Sequence, residues 1–300
     1  MEPANVSRET ARKDGRKLKT NALSRKVAKS PLAPIAAFPI RTMSVLKHDA
    51  RVLKTSVNWL FNSREHTNYT YDLTARNHEH LVWYLSSVMG ATVSDIRRWL
   101  DEVEQDDVLR ATLTKGVATS ERRGLADKTV RYGRRIGWYA CVRALKPKHV
   151  VESGIDKGLG SCMIAAALWK NAEEGHPGRL SALDINPDAG FLIQGRYCDV
   201  VDVIIGDSLE TIPALTEPVD FFIHDSWHSP EHEAAEFALV EDKLTGSAVL
   251  LTDNAAETDV LIRHAEKTGR RFLYFQEVPD RHWHLGDGTG IAWVNPPEIN

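Results

Sequence analysis

Between residues 149 and 294 the chain alternates short apolar runs with helix-patterned segments, and this alternation restricts its fold more than any other feature. The apolar runs fall near 149–153, 179–184, 201–206, 219–224, 247–252, 271–276 and 289–294, with helical segments filling the gaps up to the sixth. Strands that alternate with helices build a parallel sheet through right-handed crossovers. The last two runs are joined by PDRHWHLGDGTG, which is too short and glycine-rich for a crossover helix, so the final strand is expected to run antiparallel. The predicted fold is α/β: a seven-stranded, mostly parallel sheet with an antiparallel last strand, plus an N-terminal helical domain.

Three segments are expected: a basic tail over 1–40, a helical domain over 41–118 and the α/β domain over 119–300. Of 38 Lys and Arg against 41 Asp and Glu, nine basic and three acidic residues lie within 1–30, leaving a net charge of −9 on 31–300. A tail of that composition reads as solvated chain. PLAPIAAFPI resembles the apolar part of a signal peptide, but Pro31, Pro34 and Pro39 argue against the helix this needs. No run approaches the roughly 18 apolar residues of a membrane span. Cys141, Cys162 and Cys198 are odd in number and set among apolar residues, which fits reduced thiols and a cytoplasmic location.

Within 41–118, MSVLKHDARVLKTSVNWLF, HEHLVWYLSSVMG and SDIRRWLDEVE read as helices. The second ends at Gly90; in the third, Ser94 serves as N-cap and Val93, Ile96, Leu100 and Val103 recur at helical spacing. TNYTYDL breaks the pattern with Tyr69 and Tyr71, and DKTVRYGRRIGWYACVRAL reads as a further helix ending before Pro147.

In open α/β sheets, ligands bind beyond the carboxyl ends of the strands. The first such junction, VVESGIDKGLGS, carries Gly154, Gly158 and Gly160; this spacing admits a dinucleotide or another adenosine-bearing ligand. Glu152 at the strand end would repel a pyrophosphate and suit a ligand with an amino group, and no Tyr-x-x-x-Lys pair is present for dehydrogenase chemistry. Asp184 in RLSALDINPDA is placed to accept hydrogen bonds from a ribose diol, and Asp207 and Ser208 in DVIIGDSLE to address adenine. Asp156 is a better candidate for a cofactor contact than its neighbour Lys157. Asp225 in VDFFIHDSWHSPEH and Asp253-Asn254 in AVLLTDNAAE put three oxygen ligands at neighbouring strand ends, which suggests a hard cation.

ESGIDKGLGS, ALDINP, GDSLETIP, FFIHDSWH and LLTDN, in this order, resemble class I S-adenosylmethionine-dependent methyltransferases over roughly residues 120–295. The resemblance implies a Rossmann-like sheet and S-adenosylmethionine bound by Glu152, Gly154, Asp156, Gly158, Asp184, Asp207 and Ser208. Likeness to the metal-dependent catechol O-methyltransferase type implies Asp225, Asp253 and Asn254 as ligands of magnesium or manganese. Where that type has a lysine, this chain has His228, as in macrocin-type O-methyltransferases, and the implied role is general base. The expected reaction is methyl transfer to a hydroxyl or carboxylate of a small molecule or natural product. The expected assembly is a homo-oligomer with no membrane or nucleic-acid partner.

Each assignment has a plainer rival. Asp225, Asp253 and Asn254 are possible helix caps. His228 through His232 spells H-x-x-E-H, a zinc protease signature, although Pro230 at a helix start would keep His228 off the helix. His224 reads as a core histidine and His78 and His80 as surface ones, while His282 and His284 either line an acceptor pocket or bind nothing. Two other functions stay open at this level: a cofactor-binding subunit without turnover, and a nucleic-acid methyltransferase that uses the basic tail.

Overall fold

The computed structural model describes residues 28–294 apart from 67, 123 and 125, so most of the expected tail lies outside the described residues. The chain divides into two compact units, Met1–Lys54 and Thr55–Asn300. Helix α1, Ala33–Asn62, begins inside the segment expected to be tail and contains both Pro34 and Pro39. Pro34 falls in the first turn, where its missing N–H leaves no bond to lose, and Pro39 removes one bond from a long helix. None of the α1 residues is buried.

In the larger unit, α2 (Ala75–Met89) starts at Thr74, whose hydroxyl accepts the Asn77 N–H, and ends at Gly90 in the left-handed region. Helix α3 (Val93–Glu104) is capped by Thr92 rather than the expected Ser94. The Thr92 hydroxyl accepts the Asp95 N–H and donates to the Asp95 carboxylate. Helix α4 (Asp107–Thr119) follows. Helix α5 covers Arg135–Leu145 only, so residues 127–134 of the expected helix are turn and coil.

The sheet contains β1 (His149–Ser153), β2 (Arg179–Asp184), β3 (Val201–Ile205), β4 (Val219–His224), β5 (Leu244–Asp253), β6 (Arg271–Phe275) and β7 (Thr289–Trp293). Its order is β3-β2-β1-β4-β5-β7-β6, and β7 runs antiparallel to both neighbours. Helices α6 (Leu159–Glu173), α7 (Ser208–Ala214), α8 (Pro230–Glu241) and α9 (Val260–Thr268) connect the strands. Between β2 and β3 there is only a 3-10 turn, Gly195–Asp199, where a crossover helix was expected. Pro187 and Gly190 interrupt helical continuation there, and Gly190 has φ +77°.

Successive strand residues point to opposite faces. Val150 and Leu251 join a core with Leu85, Leu100, Leu113, Trp138 and Ile164, which α2 to α6 contribute. Val151 and Leu250 join a second core with Ile212, Phe237 and Leu261 from α7 to α9. Helices α2 to α4 therefore share a core with the sheet, and the chain does not divide near residue 118. Among the described residues, no helix is long and apolar enough to cross a membrane. Cys141, Cys162 and Cys198 are all free.

Candidate active site

Beyond the carboxyl ends of β1, β2, β3 and β4 lies a cleft of about 660 Å³. Gly154, Asp156, Asp184, Asp207 and Ser208 line one part of it; Asp225, His228 and Asn254 line another. Gly154 adopts φ +82°, and a Cβ there would overlap the backbone of Asp225 and Ser226. That close approach lets Asp225 N–H donate to the Ser153 carbonyl at 2.8 Å and holds the ends of β1 and β4 together.

Asp184 shapes the glycine loop. One carboxylate oxygen accepts the N–H groups of Ile155 at 2.9 Å and Asp156 at 3.0 Å, and the other accepts Asn186 N–H at 2.8 Å. A carboxylate has about four acceptor directions, so capacity remains for a ligand diol. Asp207 is the N-cap of α7 and accepts Leu209 N–H at 2.9 Å.

Two expected cofactor residues do not line this cleft. Glu152 is buried and accepts the Ser161 hydroxyl at 2.5 Å; burial pushes its carboxyl up to about 8. It borders, with Arg135 and Lys157, a narrow void that adjoins the cleft at Asn68, Gly154, Asp156 and Asp225. Glu152 still belongs to β1, whereas Gly154 lies beyond its end, and the Glu152 carboxylate packs against Gly160 at the start of α6. Gly158, at φ +88°, starts α6 and leaves room for Ile193 and Gly190. Lys157 does not line the cleft, because its ammonium is nearly buried against Glu65 at 3.1 Å and donates to the Asn68 carbonyl at 3.2 Å. Glu65 also accepts the N–H and hydroxyl of Thr70. The segment before α2 is thereby fastened over the glycine loop, and Asn68 lines the cleft.

The three oxygen residues expected to ligate a metal do come together, but with arginines among them. Arg134 holds Asp253 through a two-pronged ion pair, Nε on one oxygen and Nη2 on the other. Its Nη2 also donates to Asn254 Oδ1 at 3.1 Å, and its Nη1 to the Tyr71 hydroxyl at 2.8 Å. Glu277, with a fully buried side chain, lies 3.2 Å from Arg134 Nε and accepts Gly288 N–H at 2.5 Å. Arg135 makes one long contact, 3.5 Å, to Asp225 Oδ2. Burial would raise the Asp253 carboxyl, but Arg134 outweighs it and holds it low. Asp225, desolvated and beside the Asp253 charge, is pushed up to about 6. Among the described residues no group of three His, Cys, Asp or Glu side chains is disposed to hold a metal ion. A divalent ion needs oxygen ligands whose charge is not already taken by another cation, and here the Arg134 guanidinium pairs with Asp253 through both of its oxygens. These residues as arranged do not fit magnesium or manganese.

Helix capping does not explain the acidic residues either. The N-cap of α8 is Ser229, which accepts His232 N–H at 3.2 Å, and α9 begins only after Asp259. His228 sits outside α8, with Nε2 3.7 Å from Asp225 Oδ1. Burial opposes its protonation, yet the Asp225 contact prevails and raises its pKa. His232 lies within α8 and turns to Glu236 at 3.0 Å and Ser208 at 3.2 Å, so the H-x-x-E-H pattern does not converge on a metal. Glu236 also receives His224 at 2.6 Å, Ser153 at 2.6 Å and Ser226 at 2.8 Å. His224 is thus a buried histidine bonded to Glu236 that supports the cleft floor. His78 is half-buried with Nε2 3.5 Å from Glu104, and His80 is exposed.

Tyr69, Tyr71, His282, Trp283 and His284 pack with Trp59 in an aromatic cluster. His282, half-buried and held down to about 4 by burial, lines a second cavity of about 680 Å³ with Trp59, Tyr71 and Arg131. His284 instead stands 3.3 Å from Asp287. Tyr71 connects this cavity to the cleft, since Arg134 bonds both Tyr71 and the cleft-lining Asn254.

Arg134, Arg135, Glu65, Glu236 and Glu277 escaped the sequence reading. The only local signal was the doubled arginine in VRYGRRIGWY, which reads equally well as a helix surface.

Residues 151–255 match the family model described as a methyltransferase domain. An O-methyltransferase from Bacillus cereus, solved with S-adenosylhomocysteine, superposes with a TM-score of 0.50 at 18% identity, covering 67% of this chain and all of that one. The O-methyltransferase TomG from Streptomyces achromogenes, solved with S-adenosylmethionine, gives a TM-score of 0.48 at 20% identity, covering 62% of this chain and 90% of the other. No curated protein sequence matches the chain. Over residues 151–255 the chain is similar to methyltransferase domains, and its likeness to the Bacillus cereus enzyme is one of fold.

Proposed function

We propose that the protein transfers the methyl group of S-adenosylmethionine to an oxygen of a small-molecule or natural-product acceptor. One observation carries this reading: a single cleft is lined by Asp184, Asp207 and Ser208 on one side and by His228 with Asp225 on the other. Asp184 receives the ribose diol; Asp207 and Ser208 meet the adenine. Gly154 lines the cleft without a side chain, so the methionine portion lies against its backbone at the end of β1.

Methyl transfer needs an aligned acceptor, exclusion of water and removal of one proton. His228, within reach of Asp225 and partly shielded, takes that proton. Asp225 orients the ring and stabilises the imidazolium that forms. The segment pinned by Lys157 and Glu65 covers the loop side of the cleft. Alignment of acceptor oxygen and methyl carbon at near-attack distance supplies much of the acceleration. No step runs through a divalent ion, because Arg134 engages both oxygens of Asp253. Like the bound acceptor, a homo-oligomeric state belongs to this reading of the full chain.

Calorimetry with S-adenosylhomocysteine tests the cofactor assignment: a one-to-one complex is expected. Binding of NAD with none of S-adenosylhomocysteine would overturn it. Mass spectrometry of acceptor panels incubated with S-adenosylmethionine then reads a gain of one methyl on oxygen.

A further inference from the structure

Each carboxylate expected to ligate a metal has its own arginine. Arg134 grips Asp253 with a two-pronged fork and reaches Asn254; Arg135 approaches Asp225 at 3.5 Å. The two guanidinium groups carry the two positive charges that a divalent ion would bring. They are adjacent in sequence at the start of α5, and both are nearly buried, with 9% and 10% of their side chains exposed.

Arg134 is nearly buried and held from several sides. Tyr71 accepts its third prong, and Glu277, with no exposed side chain, stands 3.2 Å away. An incoming ion would have to turn the fork away from Asp253 and disturb the partner of a second buried carboxylate. Breaking a buried pair in that way leaves a charge without compensation and is strongly unfavourable. Bidentate arginine–carboxylate pairing is also the strongest and most directional form of such contacts.

We propose that Arg134 and Arg135 take the place of a divalent cation, that methyl transfer here is metal-independent, and that the acceptor is therefore an intrinsically acidic oxygen, a phenol or a carboxylate. This rests on the methyltransferase reading above. In the step, the acceptor oxygen forms a bond to the methyl carbon while the carbon–sulfur bond breaks. The bonding pair moves to sulfur, which loses its positive charge, and the acceptor proton, if still present, goes to His228. A metal would make even a weakly acidic hydroxyl reactive by lowering its pKa. Without one, a phenol with a pKa of about 10 ionises about 10⁵- to 10⁶-fold more readily than a hydroxyl near that of water, about 15.7, and a carboxylate needs no base at all.

The test uses the full-length protein saturated with S-adenosylhomocysteine and titrated with Mn²⁺, with bound ion read by electron paramagnetic resonance. Wild type is expected to bind none, and Arg134→Met to gain a bound ion as the Asp253 oxygens are released. One tightly bound Mn²⁺ per wild-type chain, lost in Asp253→Asn, would overturn the proposal; should Arg134→Met fail to fold, the wild-type titration decides alone. In parallel, phenol and benzoate acceptors are expected to be methylated equally well with and without chelator, and alkyl alcohols not at all. Turnover abolished by chelator and restored by Mg²⁺, or preference for alkyl alcohols, sinks the proposal while leaving the methyltransferase reading intact. Failure to bind S-adenosylhomocysteine sinks that reading itself.

Discussion

The ammonium of Lys157, in the glycine loop after β1, lies 3.1 Å from the carboxylate of Glu65, in the segment that precedes α2, and both side chains are buried. Ninety-two residues separate them in sequence. The pair locks the glycine loop to the N-terminal part of the larger unit. Glu65→Ala strands the lysine charge, and removing one partner of a buried pair costs about 3–5 kcal/mol. A lower melting temperature and weaker S-adenosylhomocysteine binding are expected together. An unchanged melting curve would show the pair to be dispensable, and a Glu65→Leu, Lys157→Met double variant should recover part of the loss.

Asp184→Ala removes the acceptor of two loop N–H groups as well as the proposed ribose contact. Hydrogen bonds to a charged group contribute about 1.5–3 kcal/mol each. Calorimetry should therefore show S-adenosylhomocysteine affinity falling by about a hundredfold or more. Loss of less than a few-fold would place the ribose elsewhere.

His228→Ala is expected to bind S-adenosylhomocysteine as wild type does and to lose about 10²- to 10⁴-fold in turnover of a phenolic acceptor, the usual worth of a positioned base. For an acceptor already ionised the loss should be much smaller. Equal loss on both acceptor types would assign His228 to positioning instead.

Glu236 links His224, Ser153, Ser226 and His232 beneath the cleft. Burial alone would raise its carboxyl, but the contacts from His224 and Ser153 prevail and hold it at about 2, below its ordinary 4.5. A depressed folded-state pKa contributes stability that is present above the ordinary value and lost as pH falls toward the folded one. Denaturant titrations should show the stability gap between wild type and Glu236→Gln shrinking from about pH 4.5 down to about pH 2. A gap constant across that window would contradict the assignment.

Truncation separates the two compact units. Removing residues 1–54 is expected to leave the melting temperature of the remainder nearly unchanged, since none of the α1 residues is buried. Removing residues 1–118 exposes the core surface that Leu85, Leu100 and Leu113 cover, and light scattering should report aggregation. A monodisperse 119–300 fragment with native circular dichroism would show the shared core to be nonessential.

Local periodicity made much of this molecule readable in advance. The seven apolar runs became the seven strands with ends shifted by a few residues at most, and the glycine-rich final loop foretold the antiparallel β7, because a side-chain period of two and the length of a connection are properties of adjacent residues. The same locality brought Asp184, Asp207, Asp225, His228 and Asn254 to one cleft, since each follows a strand of a sheet whose carboxyl ends face the same way. What the chain did with those groups was decided by contacts between distant segments. Arg134 reaches Asp253 across 119 residues, Lys157 turns from the cleft to Glu65, and Glu152 points inward to Ser161. Nothing in the neighbouring residues specifies these pairings. Burial does: a charge withdrawn from water takes whichever opposite charge or donor the packed fold places within reach, and only the assembled cores of the Thr55–Asn300 unit determine which one that is.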